Sequence, residues 1–432
     1  MSQKSPRNTG VLGIGESAQI GEPRPSTLAA GKIELGLARK LLEQLGCDDV
    51  GLVLWDDQRI SLGTKNPAIT VHLRERGCLY RLLANPDLHF GDDYTVGRIA
   101  VEGSLVDLLV RVGRIKRNGT GSGPLQTVYA RWMNRPRPNS LKGSQENIHH
   151  HYDIGNAFYR LWLDERMVYT CAYFPTPETG LEAAQVAKFD HVCRKLRLRP
   201  GETVVEAGCG WGALAFHMAE HYGVKVRAYN ISREQIAYAR ERIRAAGLED
   251  RVEYVQDDYR NIEGTYDVFV SVGMLEHVGT KQYPELGSII DRVLKPQGRG
   301  LIHSIGRNRA IPFNAWTERR IFPGAYPPTL AECNRIFEDS DLSVLDVENL
   351  RLHYAKTLEH WLERYEANVD TVREMFDELF VRAWRLYLSG SVAAFLAGNL
   401  QLFQIAFARG DNNDIPWTRE HIYLSEQGIG DR

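Results

Sequence analysis

Three glycines at alternate positions, Gly208, Gly210 and Gly212, stand in VVEAGCGWGALAF between a β-like run and a helix-like one. Without a Cβ, such a turn closes tightly and lets a ligand approach the backbone. The chemistry this suits is the holding of a cofactor; the bland alternative is a tight strand-to-helix joint. The glycines alone do not choose the cofactor. Gly208-x-Gly210-x-x-Ala213 satisfies the permissive dinucleotide fingerprint, which expects an acid about 20 residues onward to meet the ribose. Here the second strand ends in AYNIS, offering Asn230 and Ser232. That weakens a nicotinamide dinucleotide. S-adenosylmethionine needs an adenosine cleft but no diphosphate clamp, although its expected ribose acid is missing too. Gln235, one turn into the next helix, is the candidate replacement. Asp258, after the third strand, either faces the adenine side of the cleft or is a surface acid at a turn.

The elements that must position these residues are short and alternate in type. TVVEA, VKVRAY, RVEYV, YDVFVSV and RGLIHSI read as strands. LAFHMAEHYG, SREQIAYARERIRAAG and YPELGSIIDRVLKPQG supply helices between them. That order predicts an open α/β domain whose crossover helices cover a parallel sheet. Helix-like segments follow at Thr329–Glu338, Thr357–Ala367 and Thr371–Leu388. The apolar run VAAFLAGNLQLFQIAFA reads as a packed helix interrupted by Gly398 and Asn399. Towards the other end, GKIELGLARKLLEQLG predicts a helix and Ala68–Leu73 an alternating segment.

Composition bounds the rest. The 55 acidic and 53 basic residues of this 432-residue chain nearly cancel, which argues against a globally electropositive nucleic-acid binder. No apolar run reaches the length of a bilayer span. Six cysteines, at 47, 78, 171, 193, 209 and 333, include no close CxxC pair. With a polar start lacking an apolar signal segment, they favour a cytoplasmic location. Four segments are expected: a mobile tail at 1–24, a smaller N-terminal domain at 25–116, a basic linker at 117–146 and the α/β domain at 147–432. From Arg111 to Gln145 there are eight Arg or Lys and no acid. Such a run is a solvated connector, or it draws the chain to an anionic membrane at about 1 kcal/mol per basic residue.

Several longer motifs occur in order: HYDIGNAFYRLWLDERMVYTCAYF, EAGCGWGALA, SVGMLEHVG, LIHSIG, IFPG and HYAKTLEHWLERY. Together they resemble the cyclopropane-fatty-acyl-phospholipid synthase family, over most of Leu28–Gly410 and most strongly from Asn147. The resemblance implies a Rossmann-like class I methyltransferase domain with added helices and a smaller lipid-associated N-terminal domain. It implies S-adenosylmethionine as methyl donor, with Tyr169 beside it, and an unsaturated membrane phospholipid as acceptor. It also implies that the N-terminal domain often serves dimer formation, a homodimer here; the basic run and that domain are expected to dock reversibly at the inner face of the cell membrane. In this family pattern Cys171, through its backbone N–H, together with Glu276, His303 and Tyr354 surrounds a bicarbonate that accepts a proton. No metal ligands are implied, and His277 beside Glu276 is read as a helix-packing or hydrogen-bonding residue.

Each of the four has an ordinary alternative: Cys171 as a small buried hydrophobe, Glu276 as a helix cap, His303 as a structural histidine, Tyr354 as a core ring. Tyr173, Phe174, Trp316 and Phe322 are candidates for lining an acyl cleft and facing positive charge. Tyr326, in IFPGAYPP, departs from the Leu-Pro ending expected there, which leaves room for an altered substrate pocket. The nearest rival function is another lipid C-methyltransferase giving a methyl-branched or methylene product. A noncatalytic lipid-binding protein is a second rival. Nicotinamide-dependent oxidoreduction, nucleic-acid modification and a GxSxG hydrolase find less support.

Overall fold

The computed structural model describes residues 28–46, 48–118 and 154–423. The expected tail at 1–24 and linker at 117–146 lie outside them, apart from the last two residues of a helix, Leu105–Asn118. The described residues form two compact units. One gathers those of Met1–Arg137 with Ile311–Gly324 and Leu358–Asn399; the other gathers those of Pro138–Ala310 with Ala325–Thr357 and Leu400–Arg432.

In the first unit, β1 (Val50–Val53), β2 (Arg59–Ser61), β3 (Ile69–Leu73) and β4 (Ile99–Glu102) form a sheet in the order β2-β1-β3-β4. The alternating segment of the sequence is β3, whose residues alternate between buried and half-buried. Two segments that contiguity assigns to 147–432 belong here instead. Trp316 lies on Gly91, where a Cβ would fall 2.3 Å from the indole, so glycine makes that approach. Within the helix Glu378–Leu396, Arg382 donates to the carbonyls of Tyr94 (2.7 Å) and Ile99 (2.9 Å). Asn399 donates to the Gly113 carbonyl at 3.0 Å.

The second unit is built on β5 (Thr203–Ala207), β6 (Lys225–Asn230), β7 (Val252–Gln256), β8 (Tyr266–Val272), β9 (Leu294–Gly306), β10 (Leu342–Asn349) and β11 (Gln401–Arg409). Their order is β10-β11-β9-β8-β5-β6-β7. Strands β5 to β9 run parallel, and β11 and β10 close one side antiparallel. This is the open α/β arrangement that the strand spacing predicts. Its core has two faces because side chains alternate along each strand. Val204 packs with Leu214, Met218 and Ile236, while the next residue, Val205, packs with Tyr283, Leu286 and Ile290.

Several element assignments need correction. The run QLFQIAFAR is strand β11, not the second half of a helix: the helix ends at Leu396 and Gly398–Asn399 make the turn. Eight of its nine residues are buried, so its apolar run has no period to separate strand from helix. The segment LKPQG, read as the end of a helix, opens β9, and the helix read from Thr357 starts at Arg351.

Candidate active site

Strand β5 delivers the chain into the glycine turn, where Gly208, Gly210 and Gly212 all take positive φ, 85°, 53° and 81°. The N–H groups of Gly208 and Cys209 both donate to the Tyr229 carbonyl, at 2.9 and 3.0 Å, which ties the turn to β6. A Cβ on Gly212 would fall 2.6 Å from the Tyr254 ring, whose hydroxyl donates to the Gly212 carbonyl. Around Gly210 such an atom would meet nothing within 4 Å. Gly212 is therefore required by packing and Gly210 by the space it leaves. The turn borders a cleft of about 1100 Å³, part of it open to solvent. The cleft lies at the ends of β5, β6 and β8, where the sheet changes winding direction and open α/β sheets bind their ligands.

Of the residues singled out for a cofactor, Tyr169, Gly208, Gly210, Asn230, Gln235 and Asp258 line the cleft. Gly212 and Ser232 do not. Ser232 caps the helix Arg233–Ala245, its hydroxyl accepting from the Gln235 N–H. Asn230 is engaged with the protein: its Nδ2 donates to the Gly210 carbonyl (3.1 Å) and Gln235 Oε1 (2.7 Å), and its Oδ1 accepts from Ser232 N–H. The Gln235 Nε2 makes no hydrogen bond among the described residues. Asp258 is buried rather than a surface acid. It caps the short turn Tyr259–Asn261 and takes Arg260 Nη1 on both oxygens at 3.0 Å.

Other cleft residues escaped the motif reading. Glu206, within the apolar strand VVEA, has a buried Oε2 without a hydrogen-bond partner, and burial pushes its carboxyl up to about 7. Lys188, on the helix Leu181–Leu196, donates to Thr170 Oγ1 at 3.0 Å, and burial lowers it to about 8. A charge inside an otherwise apolar strand was the available signal for Glu206. His277, read as a helix-packing or hydrogen-bonding residue, also lines the cleft, and burial takes it down to about 4, so its ring is neutral. An aromatic wall adjoins: Tyr169 lies 5.2 Å from Trp162, and Trp211 lies 5.1 Å from Tyr159, between ring centroids.

None of Cys171, Glu276, His303 and Tyr354 is in the cleft lining itself; Glu276 precedes lining residue His277, and the His303 carbonyl accepts the N–H of lining residue Gly273. Cys171 follows cleft-lining Thr170 and is fully buried, with its thiol pushed far up by burial, so a thiolate nucleophile is disfavoured. The next N–H, of Ala172, donates to Thr357 Oγ1 (3.0 Å), on the same helix as Tyr354. Glu276 sits in the turn Leu275–His277, where Oε1 accepts from the Ile305 N–H at 2.5 Å and Oε2 has no partner. Burial raises this carboxyl to about 7. His303, two residues before Ile305 on β9, has Nδ1 3.1 Å from Gln404 Nε2 on β11 and a buried Nε2 without a partner. Burial holds its imidazole neutral, well below the usual range. With the Gln404 amide donating, Nδ1 accepts and Nε2 carries the proton. The Lys188 charge acts on both the Cys171 thiol and the His303 ring, secondary to their burial.

The remaining aromatic candidates divide. Tyr173 stacks between His191 and His353, at 4.1 and 4.8 Å, and Phe174 donates its N–H to His353 Nδ1. Trp316 and Phe322 belong to the first unit, where the indole covers Gly91 and the phenyl meets Tyr387. Tyr326 donates its N–H to the Glu276 carbonyl at 2.9 Å, and its ring lies 4.2 Å from the buried Arg307 guanidinium.

Residues 139–405 match the family model described as mycolic acid cyclopropane synthetase, and residues 37–119 match a domain of unknown function. The chain is 36% identical over 384 residues to a probable fatty acid methyltransferase of Pseudomonas putida, covering 86% of this chain and 95% of that one. It is 38% identical over 266 residues to the cyclopropane-fatty-acyl-phospholipid synthase of Escherichia coli strain K12, covering 61% and 68%. A solved mycolic acid cyclopropane synthase, CmaA1 complexed with SAH and CTAB, is similar with a TM-score of 0.59 and 28% identity, over 61% of this chain and 98% of that one.

Proposed function

The chain belongs to the mycolic acid cyclopropane synthetase family, and we propose that it uses S-adenosylmethionine to convert a double bond of a phospholipid acyl chain into a cyclopropane ring. Its fold is that of class I S-adenosylmethionine-dependent methyltransferases with added helices. The observation that carries the proposal is that Glu276 Oε2 and His303 Nε2 are both buried without a hydrogen-bond partner, on residues joined to the lining of the glycine-turn cleft through His277 and Gly273.

The residues present fit both small molecules that the family implies. The open face of Gly210, the amide of Gln235, the Asp258 carboxylate and Tyr169 would hold the donor. Glu276, protonated to about pH 7, and the neutral N–H of His303 are hydrogen-bond donors suited to a bicarbonate, with Tyr354 and the Cys171 N–H completing its surroundings. When bound, S-adenosylmethionine supplies an electrophilic methyl group, and bicarbonate supplies a proton acceptor.

An alkene is a weak nucleophile, so the first task of the chain is alignment. The second is dryness. Methyl transfer leaves an electron-poor carbon on the lipid, and Val168, Phe189, Val272 and Met274 wall the cleft against water that would capture it. Loss of a proton from the transferred methyl group then lets its carbon close the ring.

The substrate enters from a membrane. No described helix is long and apolar enough to cross one, and the basic run from Arg111 to Lys142 gives the chain a reversible hold on an anionic surface. Docking at the inner face of the cell membrane, a lipid-associated role for the N-terminal domain and a homodimer complete the proposal. A second reading, a methyl-branched or methylene lipid from the same first step, draws on the Pseudomonas putida relative and on Tyr326 against Glu276. The test is transfer of a radiolabelled methyl group from S-adenosylmethionine to monounsaturated phospholipid vesicles, with saturated vesicles as control. Label in the unsaturated lipid alone supports the proposal; label in both, or in neither, overturns it.

A further inference from the structure

Outside the cleft lining, the second unit holds a buried cation that no acid pairs among the described residues. Arg307, the residue after β9, is 3% exposed, and its Nε and Nη2 have no hydrogen-bond partner there. The backbone fixes its place: its N–H donates to the Pro328 carbonyl at 2.9 Å, and the residue bridges to Thr329. The guanidinium lies 4.2 Å from the centre of the Tyr326 ring, the residue standing where a Leu-Pro ending was expected. The nearby carboxylate is already engaged. Glu332 Oε1 accepts the Tyr326 hydroxyl at 2.9 Å, and Oε2 accepts the Thr329 N–H and hydroxyl at 2.8 and 3.1 Å. The Tyr283 hydroxyl, on the helix Tyr283–Val293, is another buried donor without a partner, and it lies within the field of Arg307.

A guanidinium keeps its proton inside a protein, so burying it unpaired is costly, and a ring face offsets only part of that cost. Burial works against this charge more strongly than Tyr326, Glu332 and Tyr283 work for it. The free Nε–Nη2 edge is a two-pronged donor that matches two oxygens of one anion. We propose that Arg307 is the receptor of a small oxyanion, held on this edge with the Tyr283 hydroxyl as a second donor. Near-complete burial selects the source. A free anion the size of bicarbonate or phosphate can be enclosed there, whereas a lipid phosphate brings its glycerol and chains with it. The site is distinct from the one around Glu276 and His303, yet adjoins it, because Tyr326 donates its N–H to the Glu276 carbonyl.

Thermal unfolding of the full-length protein at constant ionic strength and pH tests this. Chloride is replaced stepwise by bicarbonate, by phosphate or by soluble dihexanoylphosphatidylglycerol, at millimolar levels below those at which phosphate stabilises proteins generally. At least one free oxyanion should stabilise wild type saturably relative to chloride. In R307M the apparent affinity should fall about tenfold or more, and R307K, which keeps the charge but not the fork, should recover part of it. R307M should also melt no lower than wild type in chloride, because it buries no unpaired cation. H303N, altered in the other pocket, should keep the response. Stabilisation by neither free oxyanion overturns the proposal, whether or not the lipid stabilises. A response kept in R307M, or lost in H303N, overturns it too. R307M melting well below wild type in chloride would make Arg307 a fold-supporting cation and contradict the assignment; R307Q replaces R307M if the latter cannot be purified.

Discussion

Glu276 carries the sharpest consequence at the scale of single residues. Its carboxyl is raised to about 7 by burial, with only hydrogen bonds acting the other way. The folded chain therefore keeps this proton up to about pH 7, whereas the unfolded chain releases it near the ordinary carboxylate value. Between those limits the folded state binds more protons, so stability falls as pH rises and stays low above pH 7. The full effect is on the order of 3 kcal/mol. Gln at this position can still accept the Ile305 N–H and has no charge to bury. E276Q should raise the thermal midpoint at pH 8 and change it little at pH 4.5, while turnover drops about a hundredfold or more. Melting curves at both pH values and rates at saturating donor check this; an E276Q protein that is fully active removes Glu276 from the chemistry. The glycine turn was legible because it needs only local spacing. Asn230 was legible as a polar strand end, but that its amide is engaged by Gly210 and Gln235 was not, since those bonds join separate parts of the chain. Glu206 and Lys188 were missed because each stands alone in sequence, 18 residues apart, and only the fold makes them neighbours.

Among elements, β11 matters most to the site, and its sequence reads as a helix. A strand covered on both faces shows neither period, so its apolar run could not be told from a helix. Its antiparallel register sets Gln404 opposite His303. That pairing brings the Gln404 amide to His303 Nδ1 and fixes which ring nitrogen carries the proton. Q404L should leave Nδ1 unpaired at a cost of about 1–3 kcal/mol. Lost control of the tautomer should lower kcat about tenfold or more, as loss of an orienting partner does elsewhere, with S-adenosylhomocysteine affinity unchanged. A parallel fall in donor affinity would instead mean that Gln404 supports the whole sheet. The parallel strands were legible apart from the opening of β9, because their spacing and separating helices are written in consecutive residues.

For the whole molecule, sequence gave an α/β domain bounded at residue 147, and the packing does not respect that boundary. Ile311–Gly324 and Leu358–Asn399 join the N-terminal unit. The signal was absent because apolar helices such as Glu378–Leu396 announce a buried face but not which distant segment covers it. A fragment of residues 147–432 should expose the surfaces of Trp316 and of that helix, bind a hydrophobic dye and unfold without a single cooperative transition. A soluble, dye-free fragment with one sharp transition would show that these segments do not need the N-terminal unit.

The most direct measurement is carbon-13 NMR of monounsaturated phospholipid after incubation with the full-length protein and S-adenosylmethionine labelled in its methyl carbon. The ring-closing proposal predicts that the label appears as the methylene carbon of a three-membered ring. Label in a methyl branch or an exocyclic methylene, from a protein that binds the donor and turns over, contradicts it.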